Sequence, residues 1–499
     1  MATSLAPRPS PLIYNAPMHT RIGALSALAL LFPLMLSAAA TTPNRADKER
    51  AAAAIEARQE RMTALSDEIW RYAERALEET RSSAALADWA EAEGFRVTRG
   101  VASMPTAFVA EYGSGSPVIG IMGEYDALPG VSQKPQATRE AFEPGAAGHG
   151  CGHNMFGVAS LGAATAIKDL IAAGRLKGTI KFFGTPAEEA VGGKIYMLRD
   201  GVMDGVDVML SWHPGDVISA DTRSSQALID FTVEFKGKTA HAAFDPWNGR
   251  SASDGIEIFT HAVNLMREHI RPTSRMHYVI VSAGDVPNVV PDKAKIWMWV
   301  RDNERAVADE LLQRVRKIAE GAALAAGLES KFTVNGGDWN MLVNMAGQRL
   351  VHRNLQWLGP LEFTADEQEF ARTIQRETGV EPKGLNTAIR EFEENPGLPE
   401  GGSTDVADVS WVMPTLQMSV TTAPADAPWH AWPVVACGGM SIGHKGMIHA
   451  SKALAATMVD LFRDPKQVAE IAKEFEESTR GIEYVPYIPA GPPVPPPTN

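Results

Sequence analysis

The run Gly148-His149-Gly150-Cys151-Gly152-His153-Asn154 sets a thiol and an imidazole two residues apart among glycines. Glycines let a backbone turn tightly around an ion, and a thiolate beside a cation is deprotonated and ligates strongly. The same run also reads as an ordinary turn into a helix beginning near Met155, with His149 and His153 as polar residues at its start, so by itself it decides nothing. Glu188 and Glu189 follow directly on a strand expected to end at Phe183. Neighbouring residues there point in different directions, so one carboxylate can hold a metal while the other stays free as a general base. A solvated helix start is the plain alternative, since Glu pairs are frequent there. His213 closes the next apolar strand, Val208 to His213, and Glu124 and Asp126 mark a further strand end. Groups able to bind a cation at four successive element ends make a polynuclear metal site more economical than four separate accidents.

The elements that must position these groups alternate. Charged, alanine-rich helical patterning over residues 46–95 precedes short strands at Ala107–Tyr112 and Val118–Met122. A small-residue helix (Phe156–Ala172), a strand (Thr179–Phe183), a helical turn (Tyr196–Arg199) and a strand (Val206–Trp212) come next. This order predicts an α/β fold: a mixed, mostly parallel sheet flanked by helices, with reactive groups at the strand ends. From residue 227 the pattern changes to strand, helix, strand, strand, helix, strand (Leu228–Phe235, Ser253–His269, His277–Ala283, Ala294–Val300, Arg305–Ala326, Ser330–Asn335). That is an α+β split βαβ unit inserted into the first domain. The expected organisation is therefore a catalytic domain over 46–226 and 338–485, an inserted lid over 227–337, and a proline-rich tail over 486–499.

A chain of 499 residues exceeds one ordinary core, which again argues for two domains. A formal net charge of −13 argues against nucleic acid or an anionic membrane as partner. Residues 1–40 read as a signal peptide: Arg21, an apolar run from Ile22 to Leu36, then Ser37-Ala38-Ala39-Ala40. The run is short for a membrane span and Pro33 interrupts it, so the expectation is export to the periplasm or medium with no membrane association after cleavage. Met18 is an alternative start, and retention as an anchor the competing reading. Two cysteines in an exported chain, Cys151 and Cys437, invite a disulfide, but the setting of Cys151 favours metal.

The motifs GEYDALPG (123–130), GHGCGHN (148–154), GTPAEEAVGGK (184–194), WHP (212–214), GKTAHAAFDPWNGRSASD (237–254), PNVVPDKA (287–294), GGSTDVADVSW (401–411) and IGHKGM (442–447) occur in this order. In this the chain resembles the aminoacylase/carboxypeptidase G family of dinuclear metallopeptidases and amidohydrolases, within it the branch of p-aminobenzoyl-glutamate hydrolase. The resemblance covers roughly residues 46–485. It implies a zinc-exopeptidase-like catalytic domain with two divalent metals, zinc or manganese, and an inserted lid that makes a homodimer. Matched motif by motif, it implies Cys151, His153, Glu189, His213 and a C-terminal histidine as metal ligands. His430, in APWHAW, matches that last ligand better than His444 in GHKGM, and His449 is an ordinary helix residue. Glu188 matches the general base and Asp126 a carboxylate that orients ligands. Many members carry histidine where Glu124 stands, so Glu124 is a doubtful ligand. In the lid, His241 matches the residue that stabilises the oxyanion from across the dimer, and Asn288 and Arg301 match positions that bind substrate polar groups.

The reaction expected is hydrolysis of the amide of an N-acyl or N-aroyl amino acid or a dipeptide, with a metal-activated water and Glu188 accepting its proton. Two other classes remain open. One uses Cys151 as a nucleophile activated by His149 or His153; it leaves Glu188, Glu189 and His213 without a role. The other is an exported protein that binds metal or ligand without catalysis. Trp247, Trp429 and Trp432 are candidates for an aromatic pocket, or for core.

Overall fold

The computed structural model of the protein describes residues 43–399 and 402–494. The signal-like segment 1–40 and the last five residues of the tail lie outside them. Helices α1 (Pro43–Glu56), α2 (Gln59–Tyr72) and α3 (Thr80–Ala92) lead into strands β1 (Arg96–Arg99), β2 (Phe108–Ser114) and β3 (Val118–Gly123). Helix α4 (His153–Ala172), strand β4 (Gly178–Gly184), helix α5 (Gly193–Arg199) and strands β5 (Val208–Gly215) and β6 (Ser219–Ala220) follow. β3 and β4 read as near-continuous apolar runs and are buried on both faces, as parallel strands covered by helices must be. α4 is long and apolar enough to cross a membrane by length and composition, but most of it is buried inside the protein. It is the central core helix, and its small residues let neighbours close in: a Cβ at Gly162 would stand 2.5 Å from Met62 Cε.

The chain then builds a second sheet from β7 (Ala227–Lys236), β8 (Arg275–Ser282), β9 (Lys293–Asp302) and β10 (Glu329–Asp338), with helices α6 (Ala252–Met266) and α7 (Arg305–Ala326) between strands. Its strand order is β10-β7-β9-β8, all antiparallel. β7 and β9 alternate buried and less buried residues, the period-two signature of a sheet with one covered face. Ile229, Phe231, Phe235, Phe259, Met298 and Val315 form the core between that face and the two helices.

Helices α8 (Met345–Leu358), α9 (Ala365–Thr378) and α10 (Val406–Val412), strand β11 (Thr415–Thr421), and helices α11 (Trp432–Gly438), α12 (Ser441–Arg463) and α13 (Pro465–Ser478) complete the first layer. α9 opens with a full capping box between Thr364 and Glu367. The first sheet runs β1-β2-β4-β3-β5-β11-β6. Its centre is parallel (β4-β3, β3-β5, β5-β11), and the pairings toward both edges are antiparallel. β11 was not among the strands expected from sequence; it pairs with β5 from a segment about two hundred residues later.

Two crossings join the sheets. At the first, Gln226 donates its N–H to Gly402 O and its carbonyl accepts from Ser403 Oγ. At the second, Trp339 donates its N–H to Asp408 Oδ2 and its indole Nε1–H to Val485 O, while Tyr484 donates to Asp408 Oδ1. The start of the proline-rich tail is thus an ordered strap across this crossing, with Tyr487 bridging to Gly337.

Candidate metal centre

Three parallel strands deliver their C-terminal ends to one place, the position where α/β sheets bind ligands. β3 ends at Gly123 and is followed by Glu124 and Asp126; β4 ends at Gly184 before the turn to Glu188 and Glu189; β5 carries His213. Gly152, at φ +79°, turns the chain into α4 so that Cys151 and His153 flank the turn.

The histidines are oriented from behind. His153, fully buried, has Nδ1 2.9 Å from Asp126 Oδ1, and His213 has Nδ1 2.7 Å from the carbonyl of Pro214. With Nδ1–H donated in each case, both Nε2 lone pairs face the cluster, the arrangement by which carboxylates and carbonyls orient metal-ligating imidazoles. His213 Nε2 lies 3.4 Å from Cys151 Sγ. His430, reached through a left-handed backbone at φ +54°, brings Nε2 to 3.5 Å from Glu189 Oε2. Asp126 Oδ2 accepts the backbone N–H of Glu189 at 2.9 Å, so one carboxylate fixes both an imidazole and the glutamate pair.

Candidate donor atoms fall into three groups within 4.8 Å: Cys151, His153 and His213; Cys151, Glu189 and His430; Glu124, His153 and Glu188. His153 Nε2 and Glu124 Oε2 are 3.0 Å apart, yet neither has a hydrogen-bond partner, and Glu189 Oε1 is buried without one as well. Buried polar atoms are ordinarily satisfied, so unsatisfied donors within these groups suit cations held there. The electrostatics agree. Burial, then Glu124, Glu189 and Asp405, hold the Glu188 carboxyl well above the usual carboxylate range. Burial pushes Glu189 up to about 7 against the charge of His153. His153 is held well above an ordinary imidazole; burial opposes its charge, but Glu124, Cys151 and Asp126 outweigh it. Negative groups crowded this closely demand positive charge. Thiolate, imidazole and carboxylate together form a donor set suited to zinc.

The other sequence candidates lie elsewhere. His444 Nε2 is 2.8 Å from Asp67 Oδ1 and fastens α12 to α2. His149 is buried with Nε2 on the carbonyl of Ile69 and is depressed to about 4 by burial. Cys151 and Cys437 are both free, the latter in a separate core beside α9. In the single chain His241, Asn288 and Arg301 are not brought to the cluster. His241 and Asn288 sit on exposed lid loops, where His241 Nδ1 accepts the N–H groups of Ala243 and Phe244. Arg301 donates from Nη1 to Ser403 Oγ at the first crossing. Trp429 faces His213 at 6.0 Å between ring centroids, whereas Trp247 is exposed on the lid.

Sequence reasoning missed Lys194 and Asp405, although both stand inside motifs already singled out. Lys194 is fully buried, with Nζ 2.7 Å from Glu124 Oε1 and 2.6 Å from Asp405 Oδ1. A lysine in a run such as Gly192-Gly193-Lys194 reads as a surface residue until the strand carrying Glu124 is folded against it.

Residues 120–433 match the profile of peptidase family M20/M25/M40. The chain belongs to that family. As an M20-family protein it is a metal-dependent hydrolase of amide or peptide bonds. It is 37% identical to one of the subunits of p-aminobenzoyl-glutamate hydrolase from Escherichia coli, an alignment covering 86% of this chain and 95% of that one. It is 28% identical to the Xaa-Arg dipeptidase of Homo sapiens over 88% and 94% of the two chains. Among solved structures, a dinuclear metal-binding M20 peptidase from Bacillus subtilis superposes at a TM-score of 0.56 with 18% identity, over 82% of this chain and 99% of that one. An aminobenzoyl-glutamate utilization protein from Klebsiella pneumoniae gives 0.57 with 18% identity, over 81% and 97%. At these identities the two structures speak to the fold alone, a mixed α/β architecture with a mostly parallel central sheet.

Proposed function

We propose that this M20-family protein cleaves the amide bond of N-acyl or N-aroyl amino acids, p-aminobenzoyl-glutamate and its like being the foremost candidates, with two divalent metal ions per protomer. The carrying observation is that Cys151, His153, Glu189, His213 and His430 fall into overlapping donor groups with buried, unsatisfied atoms among them, and that Glu188 stands against His153 and Glu124 in the adjoining group, where we assign it to the attacking water rather than to a metal. Identity to a component of a p-aminobenzoyl-glutamate hydrolase over most of both chains supports the substrate class. The M20 dipeptidase relatives keep dipeptides as the neighbouring alternative.

Those five residues would hold two divalent cations, zinc or manganese, which would supply the Lewis acidity that polarises a carbonyl and acidifies water. The chain's own residues do the rest. Asp126 keeps the His153 ring turned toward the centre and holds the backbone of Glu189. Glu188 accepts the proton of the attacking water and returns it to the nitrogen as the C–N bond breaks, releasing acid and amine. His241, carried by the lid of a second copy, stabilises the oxyanion, and Asn288 and Arg301 receive the substrate's polar groups; an incoming carboxylate would compete with Ser403 for Arg301. The dimer this requires is supported by β8, a free edge strand with Val279, Ile280 and Val281 exposed. The segment 1–40 supports export, and the acidic balance of the chain argues against nucleic acid.

A Cys151 nucleophile fits less well. Burial, then Glu189, push its thiol above the ordinary value, whereas a nucleophilic thiol needs a lowered one. Incubating the metal-loaded protein with p-aminobenzoyl-glutamate, N-acetyl amino acids and dipeptides, before and after chelation, tests the proposal. Hydrolysis abolished by chelation and restored by zinc or manganese is expected. Hydrolysis that survives complete metal removal would overturn it.

A further inference from the structure

Glu79 stands at the N-cap of α3, but its side chain makes no capping hydrogen bond to that helix's first turn. Its side chain crosses to the catalytic loop, where Oε1 accepts the backbone N–H of Ala187 at 2.9 Å, a contact between residues 108 apart in sequence. Ala187 immediately precedes the glutamate pair and holds φ at +62°, a left-handed conformation that a side chain disfavours. The rest of the turn is fixed around that residue. The carbonyl of Ala187 accepts from the N–H groups of Val191 and Gly192 at 3.1 and 3.0 Å, and Asp126 takes the N–H of Glu189 at 2.9 Å. Gly193 lets α5 close against the turn, since a Cβ there would stand 2.0 Å from Pro186 O. The consequence of this backbone is a division of labour: Glu188 faces Glu124 and His153, while Glu189 faces Cys151 and His430. Strained backbone at a reactive site persists only where its surroundings over-determine it.

We propose that Glu79 is a positioning residue for Glu188: its accepting oxygen holds the left-handed turn at Ala187 that aims the two glutamates at different partners. The inference rests on the reading of Glu188 as the general base. Glu79 is completely buried, and its second oxygen has no partner. Burial, then the charge of Asp126, raise its carboxyl to about 8. Glutamine keeps both the size of this side chain and an oxygen able to accept the Ala187 N–H.

The test compares Glu79→Gln with Glu79→Ala in the metal-loaded protein. It reads amide hydrogen exchange across residues 184–192, together with kcat and KM on whichever amide the native protein cleaves. A lost hydrogen bond of ordinary net strength converts to about tenfold. Glu79→Ala is therefore expected to speed exchange at residues 187–189 about tenfold and to lower kcat about tenfold, leaving KM and metal content unchanged; Glu79→Gln restores both. Unchanged exchange in Glu79→Ala, or Glu79→Gln as labile as Glu79→Ala, would overturn the proposal. Ala187→Gly provides a second route should Glu79→Ala fold poorly, because glycine takes the left-handed backbone without strain. In that background the effect of Glu79→Ala shrinks; an equal loss in both backgrounds counts against the proposal. If Glu188→Ala keeps native turnover, the base assignment fails, while the exchange data still decide whether Glu79 holds the turn.

Discussion

Lys194 and Glu124 meet at 2.7 Å with neither side chain more than 1% exposed, and Asp405 pairs with the same ammonium at 2.6 Å. This buried triad ties the end of β3 to α5 and to the loop before α10, directly behind the metal cluster. Asp405 also accepts the backbone N–H of Lys194 at 2.9 Å, so the helix itself is anchored. Removing one member of a buried charged set leaves uncompensated charge and costs about 3–5 kcal/mol. Lys194→Met is expected to lower the unfolding free energy by that order in urea titrations. A loss below about 1 kcal/mol, roughly a surface pair's worth, would mean the triad is not the anchor described.

Glu188→Ala is expected to lower kcat by roughly a hundred- to ten-thousand-fold, the scale of a positioned acid–base group. Metal content measured on the same preparation should stay at the native value, because Glu188 is not among the proposed ligands. Near-native turnover with metals bound would remove Glu188 from its role.

Cys151→Ala is expected to lose bound metal and turnover together. In the native protein, a thiol-alkylating reagent should modify Cys151 only after chelation, since a ligated thiolate is shielded. Peptide mapping by mass spectrometry reads this directly. Equal labelling with and without metal would place Cys151 outside the centre.

His449 lies buried in α12, and burial, then the charge of Lys452, depress its imidazole to about 4. The unfolded chain therefore binds this proton near pH 6.5 while the folded protein refuses it until near 4. Stability conferred by the neutral ring is complete above pH 6.5 and is lost as the pH falls from there toward 4. His449→Leu removes the linkage, so its unfolding free energy should fall less between about pH 7 and pH 4.5 than the native protein's. Parallel acid limbs in the two proteins would show that His449 is not the group responsible.

Ile280 is 48% exposed on the edge strand β8, beside Val279 and Val281. A lysine there should blunt pairing of that edge, so Ile280→Lys is expected to sediment as a monomer. Because His241 is proposed to act on a partner's active site, turnover should fall with dimerisation while metal content is kept. A monomeric variant with full turnover would leave His241 no such role.

The sequence alone determined the α/β class and the inserted split βαβ unit, and it named most of the residues that the structure gathers into candidate metal groups. These were legible because each rests on a short contiguous signal: alternation in β7 and β9, the apolar runs of β3 and β4, a thiol and an imidazole two residues apart, and paired glutamates after a strand. Only the tertiary structure decided which late histidine meets the cluster. His430 reaches Glu189, whereas His444 spends its ring on Asp67, across 377 residues. It also supplied the supporting contacts behind the site, Lys194 on Asp405 across 211 residues and Glu79 on Ala187 across 108. The physical reason is the same in each case. A helix or strand period reports which face of one element is apolar, but a buried charge or a strained turn is explained only by partners that folding brings from distant parts of the chain. Lys194 carries no local mark of burial; the two carboxylates that make burial tolerable exist for it only once β3 and the loop before α10 close around α5.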